Sequence, residues 1–244
     1  MTGFADIHQH VLWGLDDGAQ TQRVMQDMLR QDASEGIRLV AATTHADLQH
    51  PFDLMRYRAR LAEANGFCRQ ENLPLQVVQG SEILYTDGVP DRLTAGHLLT
   101  LGGTRNVLIE FLPDVDIEDI GSAADALYCA GFHPVVAHIE RYRCLTRSAK
   151  TAMRLREDFG LRYQVNCHTV TASRSWLIRR FVRKMFENRA VDVIADDAHN
   201  TSSRPVQMRQ AMADIAAQYG QEYADALTDS AFRLLGKSEA NGSP

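Results

Sequence analysis

The sequence predicts a single-domain α/β fold built on a parallel sheet, which is either a barrel or an open sheet. Short apolar runs rich in β-branched residues alternate with longer helical stretches along the 244 residues, and this alternation is typical of repeated β-α units. Each run is largely apolar instead of alternating regularly with polar residues, which indicates strands buried on both faces. No linker and no internal repeat divides the chain.

The predicted strands and helices alternate from the N-terminus onward. The strands are Phe4–His8, Leu39–Thr43, Leu75–Gln79, Asn106–Phe111, Pro134–His138, Arg162–Asn166 and Val191–Ala195. The helices lie near residues 20–36, 52–72, 119–131, 147–160, 174–188 and 204–219. In the first helix Met25, Met28 and Leu29 share one face, and Gly36 follows where a C-cap is expected.

Two regions lack a clear strand or helix pattern. The segment Leu84–Arg105 is glycine-rich and longer than the other connections, and it predicts either a lid or a plain surface connection. The small and polar residues near the C-terminus predict a flexible tail over 237–244. The expected domain therefore spans residues 1–236.

Composition and charge argue against several classes of protein. The formal net charge of −5 disfavours non-specific nucleic-acid binding, which requires a basic face. We expect a cytoplasmic protein without a membrane span, because neither a secretory signal nor a long apolar run is present. The four cysteines have no C-x-x-C pair, so reduced thiols are expected. The sequence does not decide between a monomer and an oligomer.

Histidines and carboxylates stand at the carboxyl ends of the predicted strands. His8 and His10 are two residues apart, so in a strand they would point the same way and could bind one cation. In parallel α/β barrels the carboxyl ends of the strands converge on one face. Five histidines and four carboxylates are therefore expected to meet in one pocket: His8, His10, Asp17, His45, Glu82, Glu110, His138, Asp197 and His199.

This set of side chains exceeds what one ion accepts, and it predicts two or three divalent metal ions with Glu82 or Glu110 as a bridge. Imidazole and carboxylate ligands without thiolate suit manganese, zinc or iron, and manganese is favoured because four hard carboxylates are present. Such a centre can activate water, so hydrolysis is the predicted chemistry.

The histidine pair alone would also fit the metal-dependent amidohydrolases, which often bridge two metals with a carboxylated lysine. None of the chain's three lysines stands at a predicted strand end, and Glu110 occupies the place on strand four. Arg141 and Arg204 follow His138 and His199 closely and indicate an anionic substrate, because a guanidinium can hold two phosphate oxygens at once. Phosphate ester hydrolysis is therefore favoured over amide hydrolysis.

Seven motifs in order resemble the polymerase-and-histidinol-phosphatase (PHP) superfamily. They are Asp6–His10, Asp16–Gly18, Thr44–His45, Gly80–Ile83, Leu108–Phe111, Ala137–Tyr142 and Asp197–Asn200. Within that superfamily, Trp13–Gly18, His138–Tyr142 and the spacing from His199 to Arg204 resemble the bacterial manganese-dependent protein-tyrosine phosphatases of capsule and exopolysaccharide operons. The resemblance covers nearly the whole chain and implies a distorted seven-stranded (β/α)7 TIM-like barrel.

The resemblance also implies roles and a reaction. It implies that the nine clustered residues are metal ligands, that Arg141 and Arg204 bind phosphate, and that the substrate is the phosphotyrosine-bearing tail of a bacterial tyrosine autokinase. In the expected reaction a metal-activated hydroxide attacks phosphorus in line with the phenolate, and no residue is assigned as general acid. Two alternatives stay open: a phosphatase for histidinol phosphate or another small phosphomonoester, and a non-catalytic scaffold that binds phosphorylated tails.

Overall fold

Strands and helices alternate along the chain in the computed structural model, which describes residues 3–47, 50–173 and 175–237. The strands are β1 (Phe4–Gln9), β2 (Ile37–Ala42), β3 (His45–Ala46), β4 (Gln76–Gln79), β5 (Glu82–Leu84), β6 (Asn106–Glu110), β7 (His133–Val136), β8 (Arg162–Asn166) and β9 (Val193–Ala195). The helices are α1 (Gln22–Glu35), α2 (Leu54–Gln70), α3 (Val89–Thr94), α4 (Ile117–Cys129), α5 (Arg143–Thr146), α6 (Ala149–Asp158), α7 (Cys167–Ala172), α8 (Trp176–Glu187), α9 (Met208–Tyr219) and α10 (Gln221–Leu234). Two 3₁₀ turns cover Leu101–Gly103 and Ile139–Arg141.

The strands pair in parallel, as the continuous apolar runs predict. One sheet has the order β1-β2-β4, and the other has the order β3-β5-β6-β7-β8-β9. A parallel bridge between Gln9 and Ala198 connects the end of β1 to the residues that follow β9. The parallel sheet is therefore curled, so that its last strand approaches its first.

Two of the predicted strands are each followed by a further short strand that the sequence analysis did not predict. A break at Thr43–Thr44 separates β2 from β3, and a break at Gly80–Ser81 separates β4 from β5. The described residues consequently contain nine strand segments instead of the seven that the sequence predicts. Because of the breaks, β2 pairs with β4 while β3 pairs with β5, and His45 lies opposite Glu82 in the second sheet.

The inside of the curled sheet is filled by small and branched side chains. Ala5, Ala41 and Ala137 pack there with Phe232 and Leu235, which come from the end of α10 and the residue after it. The side-chain amide of Asn106, the first residue of β6, donates to the carbonyl oxygen of Leu234 at 2.9 Å. Helix α10, which the sequence analysis did not predict, therefore closes the sheet at the amino ends of its strands.

The outer layer is formed by amphipathic helices. Thr21 caps α1 by accepting from the backbone N–H of Val24 at 3.3 Å, and Gly36 ends the helix with a left-handed φ of 90°. Met25 and Met28 are fully buried against the sheet, so the predicted buried face and C-cap are confirmed.

The segment Leu84–Arg105 is an ordered connection that contains α3 and a 3₁₀ turn. Its Leu98 and Leu101 are buried in the core. The Ser81 hydroxyl donates to the carbonyl oxygen of Leu99 at 2.8 Å and accepts from its N–H at 3.2 Å. These bonds fix the segment to the break between β4 and β5.

Other sequence predictions concern features away from the sheet. The predicted tail over 237–244 lies outside the described residues except for Lys237. All four cysteines are free. No helix in the described ranges is long and apolar enough to cross a membrane.

Candidate metal centre

The histidine pair of β1 lies at the centre of the cluster. The Nε2 atoms of His8 and His10 are 3.3 Å apart, and both side chains are fully buried. Each Nε2 lies 3.2 Å from Oε2 of Glu82 and 3.5 Å from Oδ1 of Asp197. Strand geometry turns the two rings to the same side, as the two-residue spacing predicts.

The other clustered residues surround this pair. His45 Nδ1 lies 3.0 Å from Glu82 Oε2 and 3.4 Å from Glu110 Oε1. His138 Nε2 lies 2.7 Å from the second oxygen of Glu82. Glu82 therefore touches four imidazoles from three different strand ends, and its two oxygens face different parts of the cluster.

A second part of the cluster is formed by Asp17, which follows β1 in a loop. Its Oδ1 lies 3.4 Å from His45 Nε2 and 3.2 Å from His199 Nε2. The structure thus brings together all nine side chains that the sequence selects, and the two arginines reach the same place. Their roles as metal ligands stay predictions.

The cluster suits divalent cations because several of its buried nitrogen and oxygen atoms lack a hydrogen-bond partner. Oε2 of Glu82, Nδ1 of His45 and Nε2 of His199 are buried without a hydrogen-bond partner, and a buried polar atom without a partner is unfavourable. Three overlapping groups place one donor atom per residue within 4.8 Å of one another: His10 with Asp17, His45 and His199; His8 with His10 and Glu82; and His45 with Glu82 and Glu110. Imidazole nitrogen and carboxylate oxygen suit manganese, iron and zinc.

Ionisation of the cluster shows how strongly it attracts positive charge. Burial lowers the pKa of His10, but the carboxylates of Asp16, Asp197 and Glu82 together outweigh it and hold that pKa well above its usual value. Burial raises the pKa of Glu82, but the neighbouring imidazoles of His8, His10 and His138 hold it well below its usual range. The pKa of His8 is also raised, by Glu82 and Asp197 against the effect of burial, and a divalent cation can replace the protons that His8 and His10 retain.

His45 and His199 differ in the direction of their shifts. Burial lowers the pKa of His45, but the nearby carboxylates of Asp17, Glu110 and Glu82 raise it to about 10. Burial lowers the pKa of His199 below its usual value, and the nearby carboxylate of Asp17 only partly opposes this. His199 is therefore the more readily deprotonated of these two imidazoles, and a neutral imidazole is the form that binds metal.

Arg141 and Arg204 converge on one carboxylate from separate loops. Both guanidinium groups donate to Oδ2 of Asp197, and the distance from Arg204 is 2.8 Å. The opposite oxygen of Asp197 faces the histidine pair. The arginine side chains remain 42% and 39% exposed, so they border the mouth of the site and can reach a bound anion there.

The loop that carries Arg204 is organised by a residue that the sequence analysis did not select. The side-chain oxygen of Asn200 accepts from the backbone N–H groups of Ser202, Ser203 and Arg204 at 3.0, 2.8 and 3.1 Å. The carbonyl oxygen of Arg204 in turn accepts from the N–H of His199 at 3.0 Å. This Asx-type arrangement fixes the distance between the cluster and the arginine.

Three further side chains, to which the sequence analysis assigned no role, orient the imidazoles. Oδ2 of Asp16 lies 2.8 Å from Nδ1 of His10, and the hydroxyl of Tyr142 lies 3.4 Å from Nδ1 of His138. Gln164 Oε1 lies 3.2 Å from Nδ1 of His8 and accepts from the backbone N–H of His138 at 2.8 Å. A proton held on Nδ1 leaves Nε2 free as the ligand atom.

Two residues of the cluster have a backbone conformation that is rare for residues with a side chain. His138 has φ 31° and Asp197 has φ 51°. Such left-handed conformations are strained outside glycine and persist where the surroundings hold them. The N–H of Asp197 donates to the carbonyl oxygen of His8 at 2.8 Å, so hydrogen bonding to β1 stabilises one of them.

The site lies in a chain that matches one protein family over nearly its whole length. The model of a family described as capsular polysaccharide synthesis, CpsB/CapC, matches residues 4–235. The chain belongs to the CpsB/CapC family.

Curated tyrosine-protein phosphatases are similar to this chain over most of its length. Tyrosine-protein phosphatase CpsB of Streptococcus pneumoniae is 29% identical over 232 residues, which cover 91% of this chain and 93% of that protein. Tyrosine-protein phosphatase YwqE of Bacillus subtilis strain 168 is 28% identical over 235 residues, which cover 94% of this chain and 91% of that protein.

Solved structures agree with the family assignment. A structure described as YwqE from Bacillus subtilis and CpsB from Streptococcus pneumoniae, metal-dependent tyrosine phosphatases, superposes with a TM-score of 0.88 at 28% identity and covers 96% of this chain and 95% of that chain. Dihydropyrimidinase from Brevibacillus agri superposes with a TM-score of 0.63 at 11% identity, covering all of this chain and 72% of that chain. The second match shows a shared fold alone.

Proposed function

We propose that this chain is a metal-dependent protein-tyrosine phosphatase. The observation that carries the proposal is the convergence of nine ligand-type side chains with two arginines on Asp197 at one end of the curled sheet. A cluster that attracts cations beside half-exposed guanidinium groups suits a phosphate ester better than an uncharged amide. The activity of the relatives named above supports the same reading.

We propose that His8, His10, Asp17, His45, Glu82, Glu110, His138, Asp197 and His199 hold two or three divalent ions. Manganese is favoured, and zinc and iron are the alternatives. Such ions lower the pKa of water towards neutrality and neutralise charge on phosphoryl oxygens. The three overlapping donor groups support more than one ion.

The chain's own residues bind and orient the phosphate in this proposal. Arg141 and Arg204 donate to Asp197 in the structure, and a bound phosphate would offer them further oxygens. Two guanidinium groups can stabilise the charge that develops on those oxygens. A phenolate has a pKa of about 10 and can leave without a general acid, so we assign none.

The proposed substrate is the phosphotyrosine-bearing tail of a bacterial tyrosine kinase that controls capsule or exopolysaccharide synthesis. Support comes from the description of the family and from the names of the curated relatives. A cytoplasmic location stays a prediction.

We also propose that the curled sheet is a distorted seven-stranded barrel in a domain spanning residues 1–236. If β2 with β3 and β4 with β5 each count as one interrupted strand, seven strand positions remain. The pairings then run around a ring, which the bridge between Gln9 and Ala198 completes.

Turnover by the purified protein with added Mn²⁺ tests the function. Phosphotyrosine peptides and p-nitrophenyl phosphate are expected to be hydrolysed, and histidinol phosphate much more slowly. His10→Ala should abolish the metal-dependent rate, and Arg141→Ala should lower kcat about 100-fold or more. Arg147→Ala removes an exposed guanidinium outside the site and serves as the control.

Three results would contradict the proposal. Full activity of His10→Ala would exclude the metal centre, and full activity of Arg141→Ala would exclude the phosphate contact. Faster hydrolysis of histidinol phosphate would favour the small-substrate alternative. Tight binding of phosphopeptides without any turnover would favour the scaffold.

A further inference from the structure

A cleft of about 880 Å³ opens beside the proposed metal centre. It lies between the end of β5, the residues after β6 and the start of α4. Tyr85, Phe111 and Leu112 form its apolar wall. The rings of Tyr85 and Phe111 pack with centroids 5.8 Å apart, and Leu112 is 61% exposed. An exposed leucine beside two aromatic rings is a surface that gains from being covered.

Residues that line the cleft are joined to Glu110 of the proposed metal centre by strand pairing, a backbone hydrogen bond and the chain itself. Leu84 is the register partner of Glu110 across β5 and β6. The N–H of Tyr85 donates to the carbonyl oxygen of Glu110 at 2.9 Å, and Phe111 follows Glu110 directly in the chain. A substrate whose phosphate lies at the centre therefore has the cleft as its neighbour on the Glu110 side.

The rim of the cleft is strongly acidic. Asp87, Asp114, Asp116 and Asp119 line it, and all four are exposed. None of their carboxylates has a cationic side chain within ion-pair distance among the described residues. Like charge on this rim would repel a phosphate group, so the cleft suits a different part of the substrate from the part that Arg141 and Arg204 face.

We propose that this cleft binds the peptide segment next to the phosphotyrosine and selects an apolar side chain together with a lysine or arginine. The inference rests on the proposed phosphatase function. The apolar side chain lies against Leu112 and the two aromatic rings, while the cation lies against the rim carboxylates. The substrate is thus bipolar, with its negative phosphate at the arginines and its positive flank in the cleft.

Steady-state kinetics on matched phosphotyrosine peptides tests this selection. Two peptides with the same leucine beside the phosphotyrosine carry either two lysines or two glutamates on that flank. Two exposed ion pairs favour the lysine peptide and charge repulsion disfavours the glutamate peptide, so kcat/KM is expected to be roughly 10-fold higher for the lysine peptide at low salt, mainly through KM. The ratio should fall as salt is added.

A double variant and its matched control locate the effect. Asp87→Asn with Asp114→Asn should bring the ratio down to about 2- to 3-fold, while turnover of p-nitrophenyl phosphate stays unchanged. Glu157→Gln with Asp229→Asn removes the same number of negative charges elsewhere, where neither carboxylate has an ion-pair partner among the described residues, and should leave the ratio intact. Leu112→Ala should raise KM about 3-fold for the leucine peptides.

The inference is overturned if both peptides react equally, or if the cleft variant and the control change the ratio to the same extent. Failure of the phosphatase function gives a different result, because p-nitrophenyl phosphate is then not hydrolysed with Mn²⁺. Fluorescence anisotropy of labelled peptides still measures the preference in that case. Equal affinity for the lysine and glutamate peptides there also overturns the inference.

Discussion

Replacing Asp16 by Asn should weaken metal binding although Asp16 is not one of the proposed ligands. Its Oδ2 lies 2.8 Å from His10 Nδ1 and accepts from the backbone N–H of His45 at 3.0 Å. Its Oδ1 accepts from the N–H of Gly18 at 3.0 Å. With His10 protonated on Nδ1, all three partners are donors, and His10 Nε2 is free for a cation.

An asparagine cannot accept from all three partners. If its amide nitrogen faces His10, that imidazole must accept through Nδ1 and carry its proton on Nε2, the atom that lies 3.2 Å from Glu82. If the amide nitrogen faces Gly18 instead, a buried N–H loses its partner. Changes to groups that orient metal ligands weaken metal binding or activity about 10- to 100-fold, which is about 1.4–2.8 kcal/mol.

Calorimetric titration with Mn²⁺ measures this loss directly. Rates with p-nitrophenyl phosphate should shift to higher Mn²⁺ concentration by the same factor, and excess Mn²⁺ should restore part of the activity. Asp229→Asn is the control, because that carboxylate has no ion-pair partner in the described part of the chain. If Asp16→Asn folds normally and binds Mn²⁺ with unchanged affinity, the proposed control of the His10 tautomer is wrong.

Three further predictions concern other parts of the molecule. Arg204→Lys should lower kcat/KM about 10- to 100-fold because lysine cannot bind two phosphate oxygens as a fork; Arg147→Lys is the control, and equal rates would contradict a bidentate contact. Burial raises the pKa of Asp32 well above its usual value, so the folded state favours the protonated acid and loses stability as pH rises. Asp32→Asn should therefore raise Tm by roughly 2–8 °C at alkaline pH and by less in mild acid. An equal gain in Tm at both pH values would refute this. Because the carboxylates outweigh burial and raise the pKa of His10 and His45, Mn²⁺ must displace protons, and calorimetry should show its affinity falling on acidification.

The sequence predicts much of the site because polar residues end apolar runs. A histidine or carboxylate after a buried strand is easy to recognise, and parallel strands bring such positions to one edge. His8 and its partner Gln164 are 156 residues apart in the sequence, and no sequence pattern links them. The orienting contacts of the imidazoles therefore become visible only in the folded chain.

Short segments explain the differences in the sheet. Strands β3 and β5 have two and three residues, which is too short for a periodic pattern to appear. Helix α10 is a different case, because Tyr223, Leu227 and Ala231 repeat at helical spacing and are buried. Gly220, which has φ 96°, separates α9 from α10, and the last predicted helix, near residues 204–219, ends just before it.

The position of α10 links the order of synthesis to the assembly of the site. Phe232 and Leu235 complete the interior of the sheet from its amino end, yet they are translated after every proposed ligand. Until Phe232 and Leu235 emerge from the ribosome, the interior around Ala5 and Ala137 lacks the side chains that fill its amino end. The strands that carry the cluster are then not fully packed. We therefore expect ribosome-bound chains that stop at Gly220 to remain sensitive to protease and to acquire tight Mn²⁺ binding only once α10 is added.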